Sequence, residues 1–183
     1  MKRDHRGITL VELLIAISIS AIIMAAAAFF FMTAQKNYRE AAASVDVQSE
    51  TQIMMEQIGT WIMEGNRIVV GAVGADSAMQ DKLIIYNIPD KITLANPASK
   101  RIIWLSADGK LYMKQFEHIA DPDMDSSDIN PETDEVEQNC IGEYVTDFGA
   151  DSEAAKVTIT VEMSKGRTAY STQNTFKVRN ILR

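Results

Sequence analysis

The sequence predicts an α+β fold in which one long N-terminal helix is followed by an antiparallel β-sheet. Three observations predict it. The run from Leu13 to Met32 carries no charged residue. No proline precedes Pro89 and no glycine lies between Gly7 and Gly59, so nothing breaks a helix over that range. Beyond Arg67 the apolar residues fall into short runs rich in Ile, Val and aromatics, the pattern of strands. The chain divides accordingly into a basic N-terminal segment over 1–7, a helix over 8–64 and a soluble β-rich domain over 65–183.

The first half of the helix is a candidate membrane span over 13–32. As a helix it covers roughly 30 Å, the thickness of a bilayer core. A secretory signal has a shorter apolar region of about 7–15 residues, so the run reads as an anchor. Lys2, Arg3 and Arg6 precede it, with Asp4 as the sole acid of residues 1–7, which places the N-terminus on the cytoplasmic side of a single-pass protein. Glu12 stands out between Val11 and Leu13. A carboxylate within a membrane helix costs roughly 2.5–3.5 kcal/mol near its centre and less near the interface, so such a group is normally paired or functional.

The helical period continues past the bilayer. Tyr38, Ala41, Val45, Gln48, Gln52, Met55, Ile58 and Ile62 recur at three- and four-residue steps and are the expected packing face. Lys36, Arg39, Glu40, Asp46, Glu50 and Glu56 supply solvated positions, and Gly65-Asn66 is the expected stop.

Strands are expected over Ile68 to Val73, Lys82 to Ile88 and Arg101 to Ser106. Asp108-Gly109, between Trp104-Leu105 and Leu111-Tyr112, signals a hairpin. Val157, Ile159, Val161 and Met163 alternate with Thr158, Thr160 and Glu162, so one face is buried. Ser164 to Arg167 turns the chain into a last strand around Thr175 to Arg179. Trp61 and Trp104 are expected in the helix–sheet core. From Glu117 to Glu153 there are 13 acids and no Lys or Arg, which reads as a long acidic loop between strands.

Composition narrows the chemistry. The net charge is -7, with no basic footprint for direct nucleic-acid binding. Cys140 is the one cysteine, so no intrachain disulfide forms, and His5 and His118 are the two histidines. No nucleophile elbow or other catalytic motif is present, so no enzyme activity and no organic cofactor are expected. Asp121, Asp123, Asp125 and Glu132 occupy positions 1, 3, 5 and 12 of a calcium-loop spacing. Ser126 replaces the glycine of such loops, and the alternative is a solvated acidic loop.

The segment Gly7-Ile8-Thr9-Leu10-Val11-Glu12-Leu13-Leu14-Ile15, behind a basic leader, resembles the cleavage and methylation motif of type IV prepilins and pseudopilins. The resemblance covers the leader and the apolar helix. It implies a pilin-like fold and cleavage between Gly7 and Ile8 by the prepilin peptidase, a membrane aspartic enzyme. It also implies N-methylation of Ile8, where most relatives have Phe. Glu12 would then pair with the terminal amine of a neighbouring subunit and set the register between subunits. Major pilins commonly have a proline where this chain has Phe29, which favours a minor subunit. Phe176-Lys177-Val178-Arg179-Asn180 resembles the close of J-type minor pseudopilins and W-type minor pilins.

The implied function is a structural subunit of a type IV pilus or pseudopilus, serving secretion, motility, adhesion or DNA uptake. The implied partners are the prepilin peptidase, other pilin or pseudopilin subunits, the membrane and an assembly platform. The implied location is the cytoplasmic membrane, then a fibre at the periplasm or cell surface. Some pseudopilins bind calcium. The competing expectation is a membrane-anchored or secreted binding protein with a calcium or ligand site in the acidic loop.

Overall fold

A computed structural model describes residues 9–71, 82–122, 128–153 and 155–178. The chain forms two compact units, Met1–Ala42 and Ala43–Arg183. One helix, α1 (Leu10–Glu64, 55 residues), contributes to both.

Over residues 13–32 of the first unit, α1 is apolar on all sides. Leu13, Leu14, Ile15, Ile17, Ile19, Ile22, Ile23, Met24 and Phe29 to Met32 are all exposed. The helix is long and apolar enough to cross a membrane, and none of its apolar window is buried within the chain. A helix apolar around its whole circumference suits lipid or a packed bundle rather than one sheet.

The second unit joins the end of α1 to two antiparallel sheets. The larger has the order β1-β2-β3-β4-β5. Its strands are β1 (Arg67–Val70), β2 (Lys82–Asn87), β3 (Ala98–Leu105), β4 (Leu111–Ile119) and β5 (Cys140–Gly142). The smaller has the order β6-β7-β8, with β6 (Val145–Glu153), β7 (Lys156–Lys165) and β8 (Thr168–Lys177). The α+β expectation of a long helix packed on antiparallel sheet is met.

One core joins α1 to both sheets. Val47, Met54, Met55, Ile58 and Ile62 meet Leu83, Ile85, Ile103 and Leu111 from the larger sheet. From the smaller sheet they meet Phe148, Val157, Ile159, Val161 and Met163. The alternation in β7 therefore points where its pattern predicts. Thr51 is the polar member of this face, and its hydroxyl donates to the Val47 carbonyl at 2.6 Å. The packing face differs from the expected one in its first half. Val45 is 64 % exposed while Val47 is buried, and only Met55, Ile58 and Ile62 lie where the spacing placed them. The sheet selects the face, and Gly59 lets α1 approach closest: a Cβ there would collide with the Phe176 ring of β8.

The helix ends at Glu64, followed by the expected stop. Asn66 closes the junction to the sheet: its amide nitrogen donates to the Ile88 carbonyl at 2.5 Å, and its side-chain oxygen accepts from the Ile88 N–H at 3.0 Å. The hairpin at Asp108-Gly109 forms, with Gly109 at φ 78° and the Asp108 carboxylate accepting from the Lys110 N–H at 3.1 Å. Gly166, at φ 67°, turns β7 into β8. That last strand starts at Thr168 rather than near Thr175.

The back face of the larger sheet carries a second cluster of Ile84, Tyr86, Ile102, Trp104 and Tyr112. Trp104 therefore lies away from α1, contrary to expectation, because strand alternation places it opposite its neighbour Ile103. Trp61 packs against the helix-side core as expected.

Candidate functional site

The acidic stretch 117–153 is not a single loop. It contains the end of β4, the short helix α2 (Pro131–Asp134), a 3-10 turn over Glu137–Asn139, β5 and β6. In β6 its acids occupy solvent positions: Asp147, Asp151 and Glu153 are exposed while Val145 and Phe148 are buried. A charge bias reports which side chains meet water, not whether the backbone pairs.

Residues 128–140 form a strap over the back cluster. Ile129 and Cys140 pack on that cluster. Lys82 pairs with Asp128 at 3.4 Å, Lys114 with Asp134 at 2.6 Å, and the Trp104 indole N–H donates to Glu135 at 3.3 Å. Asn130 caps α2 by accepting from the Glu132 N–H at 3.2 Å.

Asp134 is the buried anchor of the strap, with a side chain 8 % exposed. Burial pushes its carboxyl up, but the Lys114 ammonium and the Asn130 N–H at 2.7 Å outweigh burial and hold it below the ordinary 3.8. The Cys140 thiol is half-buried, and burial raises it above the ordinary 9.0. His118 is exposed on β4 at φ 64°.

The proposed calcium ligands divide. Asp121 and Glu132 are described, whereas Asp123 and Asp125 lie outside the described residues. Among the described residues, no group of three or more His, Cys, Asp or Glu side chains could hold a metal ion. The neighbouring carboxylates Asp128 and Asp134 are held by lysines. The described part thus supplies two of the four expected ligands and no assembled site.

At the other end of the chain, Glu12 sits in the first turn of α1, beside Thr9. The Thr9 N–H and hydroxyl each donate to Glu12 Oε2 at 3.3 Å, and the Glu12 N–H donates to Thr9 Oγ1 at 3.3 Å. This is a capping box, in which two backbone donors at the start of a helix are satisfied reciprocally. The sequence signal was Thr-x-x-Glu just before an apolar run, and the reading of Glu12 overlooked it. The cap gives Glu12 a local role: its carboxylate is oriented by its own chain and lies where the helix dipole favours negative charge. Gly7 and Ile8 lie outside the described residues.

Residues 2–28 match a family model described as a prokaryotic N-terminal methylation motif. Over those residues the chain is type IV prepilin-like. No curated protein and no solved structure matches it. The matched region of this prepilin-like chain contains Gly7, Ile8, Thr9 and Glu12 together with most of the apolar run. The matched region and the capping box of Glu12 fall together at the start of α1.

Proposed function

We propose that this prepilin-like chain is a minor structural subunit of a type IV pilus or pseudopilus. The observation that carries the reading is the methylation motif on a helix apolar around its circumference. Such a helix needs lipid before assembly and other helices afterwards. In this reading the prepilin peptidase cuts between Gly7 and Ile8, and Ile8 is methylated. An assembly platform then extracts the subunit from the cytoplasmic membrane, with its N-terminus cytoplasmic, into a fibre at the periplasm or cell surface. Phe29, in place of the proline common in major pilins, supports a minor role. The machine served is one of secretion, motility, adhesion or DNA uptake.

The processing step has a direct test. Intact-mass measurement of the membrane-extracted protein is expected to give a chain beginning at methylated Ile8. Gly7→Leu is expected to leave the full-length form in the membrane, because a bulky residue replaces the small one at the scissile bond. Normal processing of that variant would exclude the assigned cleavage site.

The second reading is a membrane-anchored binding protein with calcium at Asp121, Asp123, Asp125 and Glu132. It rests on their spacing. A bound ion at 100 times its dissociation constant stabilises by roughly 2.7 kcal/mol, so chelation would then lower the thermal midpoint of the detergent-solubilised chain. An unchanged melting curve leaves the segment as a strap held by Lys82 and Lys114.

A further inference from the structure

Among the described residues, the strand β8, Thr168–Lys177, is the outer strand of the three-stranded sheet and pairs with β7 alone. The ladder runs from Lys156↔Lys177 to Lys165↔Thr168 with no register shift. Along the other side of β8, every second residue turns its backbone N–H and C=O away from β7. Native sheets blunt such edges by keeping them short, bulged, charged or interrupted by proline. This edge is 10 residues long and unbulged, and it has no proline and no charge from Thr168 to Phe176.

A groove lies on the helix side of the same strand. Met55, Tyr170 and Phe176 give it an apolar floor, and Gln52, Glu56 and Asn174 form part of its polar rim. Its volume is about 170 Å³. At one end Gly59 brings α1 close to Phe176, and Thr51 and Tyr170 line the groove as well. A strand added to β8 would direct alternate side chains to this side.

Charge selects the occupant. Arg167 and Lys177 flank the uncharged edge, and Lys177 already faces Lys156 across the ladder. Like charges directly opposite are unfavourable; Glu153 faces Lys156 from β6, and a carboxylate beside Lys177 would balance the second cation of that row. A second copy fits poorly. Antiparallel pairing of β8 with itself would bring Lys177 of one copy toward Arg167 of the other.

We infer that the β8 edge receives an extended segment of a different pilin-type subunit. The segment adds a strand to the sheet, with apolar residues facing the groove and a carboxylate beside Lys177. Main-chain pairing supplies the affinity, and the groove supplies the selectivity. The inference rests on the fibre reading above.

The test is hydrogen exchange read residue by residue on the processed chain, first in detergent and then in fibres sheared from cells. On entry into fibres, every second β8 amide is expected to slow by about tenfold or more. Asn174→Lys, at an exposed edge position, is expected to keep the thermal midpoint and to reduce fibre entry about fivefold or more. If the chain enters fibres while its β8 amides keep their detergent rates, the inference fails and the fibre reading stands. If the chain never enters fibres, both fail. If β8 is already protected in the purified chain at concentrations where it self-associates, a second copy is the occupant and the assigned partner is wrong.

Discussion

Glu12→Ala is expected to yield a cleaved, folded, membrane-retained protein that enters fibres poorly. The substitution lies in the first turn of α1, and the core of the second unit begins at Val47, so no core contact is lost. Insertion should become easier, because a carboxylate costly in lipid is gone. Locally the change removes half of the capping box. Thr9 loses the acceptor of its N–H and hydroxyl but keeps its own acceptor role as N-cap, so only the first turn should fray. The large effect is expected between subunits. On the proposed reading the Ile8 ammonium of a neighbour loses its partner in apolar surroundings. Removing one member of a buried pair costs on the order of 3–5 kcal/mol. The measurement compares fibre incorporation of wild type and variant at equal membrane levels. Equal incorporation would reduce Glu12 to a helix cap at the headgroup layer and favour the simple-anchor reading.

Lys114→Met is expected to loosen the strap over the back of the larger sheet. The change leaves Asp134 buried with the Asn130 N–H but without its cation. Breaking a buried pair costs about 3–5 kcal/mol, and the lower end applies because the Lys114 side chain is 31 % exposed. The loss should depend on pH. Asp134 is depressed in the folded wild type, so its contribution is fully present above the unfolded value near 3.8 and is lost as pH falls through the lower folded value. The gap in thermal midpoint between wild type and variant should therefore be widest near neutral pH and shrink below about pH 4. A gap that does not change with pH would mean that Lys114 acts only through its packing over the Phe116 ring, 4.8 Å away.

Several features were legible in the residues themselves because their signals are local. An uninterrupted apolar run fixes a membrane-length helix. Leu83 to Tyr86 is apolar on consecutive positions and lies in the interior strand β2, with Leu83 and Ile85 facing α1 and Ile84 and Tyr86 facing the back cluster. Gly109 and Gly166 supply backbone conformations that other residues rarely adopt. Thr9 and Glu12 carry a capping signature within four residues, so the candidate site at the start of α1 is written in its own sequence.

What only the tertiary structure decided depends on partners distant in sequence. The period of α1 permits neighbouring faces, and Val47 rather than Val45 is buried because the sheets take that side. The division of the strands into two sheets, and the open edge at β8, follow from long-range pairing that no strand encodes alone. The acidic stretch looked like a solvated loop because its charge is local information. Its docking depends on Lys82, Trp104 and Lys114, which lie tens of residues earlier in the chain. A buried carboxylate such as Asp134 becomes tolerable only once the fold has brought a cation to it, and no pattern of neighbours announces that.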